Sequence, residues 1–105
     1  MQPTVLTEAV YYILLSLDQP LHGYGIMQNV ELFSGGRVRL AAGTLYGALN
    51  TLLEKSWIEA LPETNNSRRK EYRITEAGRK AVRGELLRLR ELLDNGERLT
   101  KEWGI

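Results

Sequence analysis

Half of the protein's basic side chains are concentrated between residues 68 and 83. The segment contains Arg68, Arg69, Lys70, Arg73, Arg79, Lys80 and Arg83 against Glu71 and Glu76, a balance of +5 in a chain whose net charge is +1. Residues 1–36, by contrast, contain three acidic side chains and no lysine or arginine. Clustered cations attract polyanions, so the pattern indicates a localised polyanion contact. A solvated charged surface is the alternative explanation.

The cations Arg68, Arg69 and Lys70 directly follow a polar turn that contains Asn66 and Ser67. Guanidinium and ammonium groups neutralise phosphate charge, and amide or hydroxyl side chains form hydrogen bonds with phosphate oxygens. We therefore predict that residues 66–70 contact the backbone of DNA, with Asn66 and Ser67 at phosphates or in a minor groove. The alternative is that Arg68, Arg69 and Lys70 form a solvated limb of a hairpin.

A second candidate surface is the stretch 41–55, whose apolar residues recur with helical spacing. At about 100° per residue, one face carries Leu45, Leu49, Leu52 and Leu53. The opposite face carries Gly43, Thr44, Gly47, Thr51 and Lys55, with Tyr46 and Asn50 at its borders. A face of so little bulk suits close approach to the floor of a DNA major groove. A helix that is packed on both sides is the alternative.

Base recognition by this helix is expected to be mostly apolar, because the helix contains no arginine for a bidentate contact to guanine. The side chains suited to thymine methyl groups or to adenine are Ala42, Thr44, Thr51 and Asn50. Specificity should then depend on apolar contacts, on Arg37 or Arg39 before the helix, and on DNA shape. Two alternatives stay open: the Thr44 hydroxyl bonds to its own helix backbone, and Tyr46 is a packing residue.

Two further helices are predicted before this one. The first covers Val5 to Leu17, with Thr4 as its N-cap, and it is apolar nearly all round. A helix without a polar face is buried on more than one side, which in so small a domain favours a second subunit. The second helix opens at residues 21–25 and ends at residues 34–36, where glycine supplies a left-handed position. Residues 37–40 are predicted as a very short strand or an extended link.

A β-hairpin and a long helix are predicted after it. Residues 56–62 and 70–74 form the two strands, with Tyr72 and Ile74 facing inward and Arg73 outward. Thr75 caps the last helix, and Gly78 occupies the position of a capping-box glutamate. An apolar stripe follows at coiled-coil spacing in Val82, Leu86, Leu89 and Leu93. Residues 95–96 are expected to end or kink this helix, beyond which Leu99 and Trp103 could resume the stripe.

This order of elements predicts a fold that is mainly α with a small β-hairpin. Three helices, a basic hairpin and a long helix are the order of a winged helix-turn-helix with an added C-terminal dimerisation helix. Residues 1–75 would form the DNA-binding part and residues 76–105 the dimerisation helix, packed with the first helix in one structural domain. In that architecture the third helix enters the major groove and the hairpin, or wing, lies along the backbone.

Several classes of function are disfavoured by the composition. The chain has no cysteine and one histidine, His22, so neither a metal site nor nucleophilic catalysis is predicted, and no cofactor is expected. His22 is interpreted as a residue at the opening of the second helix. No apolar run of about 18 residues predicts a membrane span, and no signal peptide is recognised. Together with the absence of cysteine, this fits a cytoplasmic location.

Four segments resemble the PadR-like transcriptional regulators. They are Leu21-His22-Gly23-Tyr24-Gly25-Ile26, Gly43-Thr44-Leu45-Tyr46-Gly47-Ala48-Leu49, Lys55-Ser56-Trp57-Ile58 and the run from Arg69 to Gly78. The resemblance covers residues 6–93 and is to the short subfamily with a single C-terminal helix. It departs in two places: Gly47 stands where the family usually has proline, and Ser56 stands where it usually has glycine. The second change predicts a less sharp turn after the third helix.

The resemblance implies a bacterial repressor that binds a palindromic operator as a homodimer, in some members released by an aromatic small molecule. Carried over to this chain, the DNA-contacting positions are Tyr24, Thr44, Tyr46, Gly47, Arg68, Arg69 and Lys70. Dimerisation through the first and last helices would use Val5, Ala9, Tyr12, Val82, Leu86, Leu89 and Leu93. Tyr12 and Trp103 are the candidate ligand contacts, with core or dimer packing as the alternative. The rival functions are a winged-helix module that binds protein and, separately, a small-molecule sensor.

Overall fold

The computed structural model describes residues 5–63 and 69–104 of the chain. In chain order its elements are α1 (Glu8–Ser16), β1 (Leu21–His22), α2 (Gly23–Phe33), α3 (Ala42–Glu54), β2 (Ile58–Ala60), β3 (Glu71–Ile74), α4 (Glu76–Leu99) and a 3-10 turn (Lys101–Trp103). The predicted winged helix-turn-helix with an added C-terminal helix is confirmed.

The core lies where α1, α2 and α3 meet the sheet and the start of α4. Its members are Leu6, Ile13, Leu14, Leu17, Ile26, Val30, Leu45, Leu49, Leu52, Ile58, Tyr72, Ile74 and Val82. The apolar face predicted for α3 supplies three of these, Leu45, Leu49 and Leu52, while Leu53 is half-buried. Because this face is fixed inside the protein, the opposite face of α3 is turned to solvent.

Helix α1 begins later than predicted, at Glu8 rather than Val5. The Thr7 hydroxyl accepts a hydrogen bond from the Val10 amide at 3.1 Å and is the N-cap. The predicted cap, Thr4, lies outside the described residues. Thr7 has the same capping chemistry as Thr4, and Leu6, the residue directly before Thr7, is buried in the core.

The connection from α2 to α3 is a turn stabilised by Ser34. Its buried hydroxyl accepts from the Val38 amide at 2.9 Å and donates to the Glu31 carbonyl at 3.1 Å. Gly35 and Gly36 have φ angles of 62° and 84°, so the predicted left-handed glycine position is present. Residues 37–40 form no strand, so the very short strand predicted as one possibility for them is absent, and they link α2 to α3 without regular structure.

The sheet has three antiparallel strands in the order β1-β3-β2, whereas the sequence predicted only the hairpin of β2 and β3. The missed strand is Leu21–His22, which pairs with Tyr72 and Glu71 of β3. From the sequence we expect Leu21 and His22 to open the second helix, but this helix begins at Gly23. Tyr72 and Ile74 are buried and Arg73 is exposed, as expected.

The turn after α3 is sharp, contrary to the expectation from Ser56. Ser56 adopts a left-handed φ of 60°, the conformation that glycine usually provides there. The Trp57 amide bonds to the Leu52 carbonyl at 3.0 Å, and the Ser56 amide bonds to Leu53 at 3.0 Å. These bonds satisfy the last carbonyls of α3, and they offset the strain of a side chain at a positive φ.

Helix α4 passes through Asn95 and Gly96 without ending and reaches Leu99, so the predicted helix end at residues 95–96 is wrong. Residues 97–99 continue the helix, and Arg98 donates to the Asn95 side chain at 3.1 Å. One glycine in a helix costs only about 1 kcal/mol, too little to end it against good neighbouring helix formers. At its start, Thr75 accepts from the Gly78 amide at 3.1 Å, which confirms the predicted cap.

We expect Gly78→Ala to lower the free energy of unfolding by about 1–3 kcal/mol, as overpacking does. A methyl group at Gly78 would overlap the backbone carbonyl oxygen of Trp57 and lie 2.7 Å from Ile74 Cγ1. Urea unfolding followed by circular dichroism measures the effect. Gly84→Ala is the matched control, because nothing lies within 4 Å of a methyl group there. Equal stability of the two variants would contradict the packing of α4 against Trp57.

The inner side of α4 carries one buried carboxylate, Glu85, which is 3% exposed. It accepts two hydrogen bonds from Arg88, at 2.6 and 2.9 Å, and one from the Leu6 amide at 3.3 Å. The Arg88 guanidinium, aided by the Leu6 amide, lowers the pKa of Glu85 below its ordinary value of 4.5 despite burial. This carboxylate therefore ties the segment before α1 to α4.

The stabilisation that the Glu85 carboxylate contributes should disappear in acid, which a pH titration of the free energy of unfolding would show. A lowered folded-state pKa contributes stability that is complete above the ordinary pKa of 4.5 and is lost as the pH falls through the folded value. The difference in unfolding free energy between wild type and Glu85→Gln should thus be constant above about pH 5.5 and shrink below pH 4.5. A difference that stays constant into acid would exclude the Glu85–Arg88 pair as its source.

Candidate nucleic-acid interface

The outward face of α3 is accessible along its length. Exposed residues there are Ala42, Gly43, Thr44, Tyr46, Gly47, Asn50 and Thr51. A methyl group placed on Gly43 or Gly47 would meet nothing within 4 Å. The face is therefore low in relief and carries no charged side chain between residues 42 and 51. The alternative of a helix that is packed on both sides does not hold within the described protomer.

The polar groups on this face differ in whether they already form hydrogen bonds within the protein. The Thr51 hydroxyl donates to the Gly47 carbonyl at 3.2 Å. Thr44 forms no side-chain hydrogen bond within the described residues, and the N-terminus of α3 at Ala41 has no side-chain cap. The hydroxyl of Thr44 and the first amides of α3 are thus directed to solvent, and the alternative in which Thr44 serves its own backbone is not observed.

Tyr46 connects the face of α3 with the start of α2. Its side chain is 47% exposed, and its hydroxyl would lie 2.6 Å from a Cβ at position 23, so Gly23 leaves room for it. Tyr46 is therefore at once a packing residue and an exposed phenol, which combines the two interpretations made from the sequence. Tyr24, one residue further along α2, is 59% exposed.

The wing is the segment between β2 and β3, residues 61–70. Asn66, Ser67 and Arg68 fall outside the described residues, whereas Arg69 and Lys70 are described and exposed. Arg69 Nη1 lies 3.3 Å from Nε2 of His22, the last residue of β1. His22 is followed by Gly23, and the Tyr46 hydroxyl of α3 packs against Gly23. The described limb of the wing, residues 69–70, therefore lies next to the outward face of α3.

Besides Arg88, four further arginines of the described residues pair with acidic side chains. Arg37 pairs with Glu8, Arg39 with Glu31 at 2.8 Å, Arg73 with Glu59 at 2.5 Å and Arg79 with Asp18 at 3.1 Å. Arg37 and Arg39, expected beside the DNA-binding helix, are thus directed to α1 and α2 in this structure. The pairs of Arg37 and Arg39 are largely exposed, and exposed ion pairs are weak, so a phosphate can compete for either of these two arginines.

The apolar stripe of α4 is mostly uncovered. Leu86, Leu89 and Leu93 are exposed, as are Leu87, Leu92 and Leu99. Val82, assigned to the dimer interface from its spacing, is 8% exposed and belongs to the protomer core, so the open stripe begins at Leu86. On the N-terminal side, Val5 is exposed and Ala9 is half-buried.

The two candidate ligand residues have separate surroundings. The half-buried ring of Tyr12 lies 5.7 Å from that of Tyr11 and 5.9 Å from that of Phe33. Trp103 is 69% exposed beyond the end of α4, and it forms no ring contact within the described part of the chain. A groove of about 720 Å³ that the sequence did not predict runs between α1 and α4. Its lining combines the apolar Leu14, Leu15 and Leu86 with the charged Arg79, Lys80, Arg83, Arg90, Asp18 and Glu76.

Neither a membrane span nor a metal cluster is found in residues 5–63 and 69–104. No helix there is long and apolar enough to cross a membrane. No three His, Cys, Asp or Glu side chains lie close enough together to hold a metal ion.

A sequence profile assigns most of the chain to one family. The profile of the Transcriptional regulator PadR-like family matches residues 12–84. A 68-residue segment is also 41% identical to an uncharacterised 37.1 kDa protein in a transposon of Streptomyces fradiae. That alignment includes 65% of this chain but 19% of the relative, so the chain spans about a fifth of that protein's length.

Solved structures give the same result for the fold. A PadR family transcriptional regulator from Eggerthella lenta is 26% identical and aligns over 86% of this chain and 79% of its own, with a TM-score of 0.70. A PadR family regulator from Clostridium difficile aligns over 92% and 98%, with a TM-score of 0.72. The sequence of the Clostridium difficile protein is only 20% identical to this chain, so this similarity is evidence for the fold alone.

Proposed function

Because the chain belongs to the PadR-like family of transcriptional regulators, we propose that it binds DNA in the cytoplasm and represses transcription from a palindromic operator. The observation that carries the proposal is the outward face of α3, which is exposed, uncharged and low in relief over residues 42–51. A helix with such a face can approach base edges closely in the major groove. The rival function, a winged-helix module that binds protein, does not explain why a basic limb of the wing lies beside that face.

Two groups of contacts follow from this geometry. Ala42, Thr44, Gly47, Asn50 and Thr51 would face base edges, while the phenols of Tyr24 and Tyr46 would reach phosphates at the groove edge. The wing would bind the adjacent backbone through Arg69 and Lys70, together with Asn66, Ser67 and Arg68 beyond the described residues. Residues 1–75 would then be the DNA-binding part and residues 76–105 the dimerisation helix.

The homodimer is supported by the chemistry of α4. Its open stripe of leucines is the kind of surface that a second copy covers. Charge favours an antiparallel pair, since residues 76–90 have a balance of +3 and residues 91–102 one of −2. Two-fold symmetry would bring each basic half against the partner's acidic half. It would also hold two copies of α3 at a fixed spacing, as a palindrome requires.

A small aromatic effector is the third part of the proposal. The groove between α1 and α4 is lined by leucines and by more cations than anions, which suits a planar molecule that carries an anionic group. Leu86 contributes both to this groove and to the open stripe, so a ligand there would alter the dimer contact. Titration of Trp103 and Trp57 fluorescence with aromatic carboxylates tests for such an effector.

The test of the function is selection of duplexes from a random-sequence library by the full chain. We expect an enriched palindrome, bound with a steep salt dependence because phosphate contacts release counterions. Sedimentation should show two chains per duplex. Failure to enrich any sequence, with binding no tighter than to random DNA, would overturn the proposal and favour the protein-interaction module.

Thr44→Ala should weaken binding to the selected duplex by about 1–3 kcal/mol, the usual worth of a base contact. Thr44 is exposed and its hydroxyl forms no side-chain hydrogen bond within the described residues, so the free energy of unfolding should change little. Fluorescence anisotropy measures affinity and urea unfolding measures stability. If Thr44→Ala binds the selected duplex as tightly as wild type does, the Thr44 side chain takes no part in base recognition.

A further inference from the structure

Thr75 lies at a junction of three elements: β3 ends directly before it, α4 begins directly after it, and the turn that follows α3 is bonded to it. Its hydroxyl donates a hydrogen bond to the Ser56 carbonyl at 2.6 Å and accepts one from the Gly78 amide at 3.1 Å. One hydroxyl can form both bonds, because it has one proton and two lone pairs. The side chain therefore caps α4 and at the same time holds the end of α3 against that cap.

Backbone contacts close the same junction. The Thr75 amide donates to the Trp57 carbonyl at 2.9 Å, and the Ile74 amide donates to the Leu17 carbonyl, at the end of α1, also at 2.9 Å. Gly78 lets α4 approach closely, since a methyl group there would overlap the Trp57 carbonyl oxygen. The start of α4 is thus connected to the end of α1 on one side and to the end of α3 on the other.

The rest of α4 has far less support from its own protomer. Its buried residues are Gly78, Val82 and Glu85, all in the first half of the helix. From residue 86 to residue 99 the described protomer buries no side chain of α4. The direction in which this helix leaves the protomer is therefore determined at its first turns, of which Thr75 is the cap.

Small rotations at this junction would have large effects on DNA binding. Helix α3 has 13 residues and so extends about 20 Å from the junction to its start at Ala42. A rotation of about 10° would move the start of α3 by about 3.5 Å relative to α4, and DNA rises about 3.4 Å per base pair. The proposed dimer is joined through α4, so both copies of α3 would move. Their separation would then change by about one to two base-pair steps.

We propose that Thr75 is a positioning residue for half-site spacing. Its bond to Ser56 fixes the angle between α3 and α4, and this angle sets how many base pairs separate the two half-sites that one dimer accepts. The inference rests on the proposed function and adds to it the residue that selects the spacing. Thr75 acts through the end of α3, whereas the outward face of α3 selects the sequence of each half-site.

The test variant is Thr75→Asp, which separates the two roles of the hydroxyl. Aspartate is a strong N-cap, so α4 keeps its start. A carboxylate cannot donate, however, and it would set an acceptor against the Ser56 carbonyl oxygen. Thr7→Asp is the matched control, because Thr7 caps α1 and its hydroxyl forms no bond to another element within the described residues. Thr75→Ser retains a hydroxyl for both bonds and is the rescue.

The measurement is affinity for duplexes in which the spacer of the selected palindrome is lengthened or shortened by single base pairs. Wild type should lose about 10-fold or more for one added or deleted base pair, because both half-sites must be engaged together. Thr75→Asp should lose less than about 3-fold, or prefer another spacer length. Thr75→Ser and Thr7→Asp should keep the wild-type profile. Because the spacers are compared within each variant, a uniform effect of the added charge cancels.

A wild-type spacer profile in Thr75→Asp would overturn the inference and leave the proposed function intact. A duplex with a single half-site should bind wild type, Thr7→Asp and Thr75→Asp alike. A loss there in Thr75→Asp alone would also overturn the inference, because Thr75 would then act on α3 within one protomer. If circular dichroism shows Thr75→Asp to be unfolded, Thr75→Ala replaces it, with the same flatter profile expected. If wild type binds no palindrome, or every spacer length equally, the proposed dimeric operator fails and the inference fails with it.

Discussion

Leu89→Glu should convert the proposed dimer into monomers at micromolar concentration. Leu89 lies in the middle of the open stripe of α4, between Leu86 and Leu93, and it is exposed in the isolated protomer. Burial of one leucine side chain contributes about 1.5–3 kcal/mol, and two-fold symmetry counts the position twice. The loss of about 3–6 kcal/mol corresponds to a dimer that dissociates roughly 10²–10⁴ times more readily.

The loss of the dimer should be visible in both assembly and DNA binding. Sedimentation equilibrium over a range of concentrations gives the dissociation constant, and anisotropy on the selected palindrome should show weak binding to single half-sites. Leu32→Glu is the matched control, because Leu32 is 74% exposed on α2, away from α4. A dimer that survives Leu89→Glu, or that is disrupted equally by Leu32→Glu, would show that α4 is not the interface.

Removal of Arg69 and Lys70 together should weaken DNA binding by about 10³-fold at physiological salt. Each dimer would lose four cations, and each lost phosphate contact lowers the slope of log affinity against log salt by about 0.9. The slope should therefore become shallower by about 3–4, and the loss should be similar for every duplex sequence. Addition of Arg68→Ala, a residue outside the described part of the chain, should deepen both effects.

The control for this experiment removes the same charge elsewhere. Arg98→Ala with Lys101→Ala changes the net charge equally, but at the far end of α4. Such a variant should retain its affinity for the palindrome and its salt slope within about one unit. Equal losses in both double variants would mean that overall charge governs binding and that the wing makes no specific contact.

Much of the fold could be predicted from the sequence because its signals are local. The leucine spacing of α3 determines which face enters the core, and that face must then leave Thr44 and Gly47 on the other side. The capping threonine before α4 and the glycines after α2 are likewise local signals, and both predictions are confirmed. The assignment of Arg69 and Lys70 to phosphate contacts rests on composition and stays a prediction.

Contacts between distant parts of the chain were decided only by the tertiary structure. Strand β1 is two residues long and exists because β3, some fifty positions later, presents a free edge, so its own sequence carries no strand pattern. Val82 has the spacing of the stripe but lies in the protomer core, since the first turns of α4 pack on the sheet before the helix extends into solvent.

The sequence by itself thus determined the order of the helices, the face that α3 buries and the basic character of the wing. These features follow from periodicity and from side-chain chemistry at neighbouring positions. Tertiary structure alone decided that Glu85 ties residue 6 to α4 and that His22 and Arg69 converge. The physical reason is that both contacts join residues far apart in the chain, and their geometry depends on how the elements pack rather than on any local propensity.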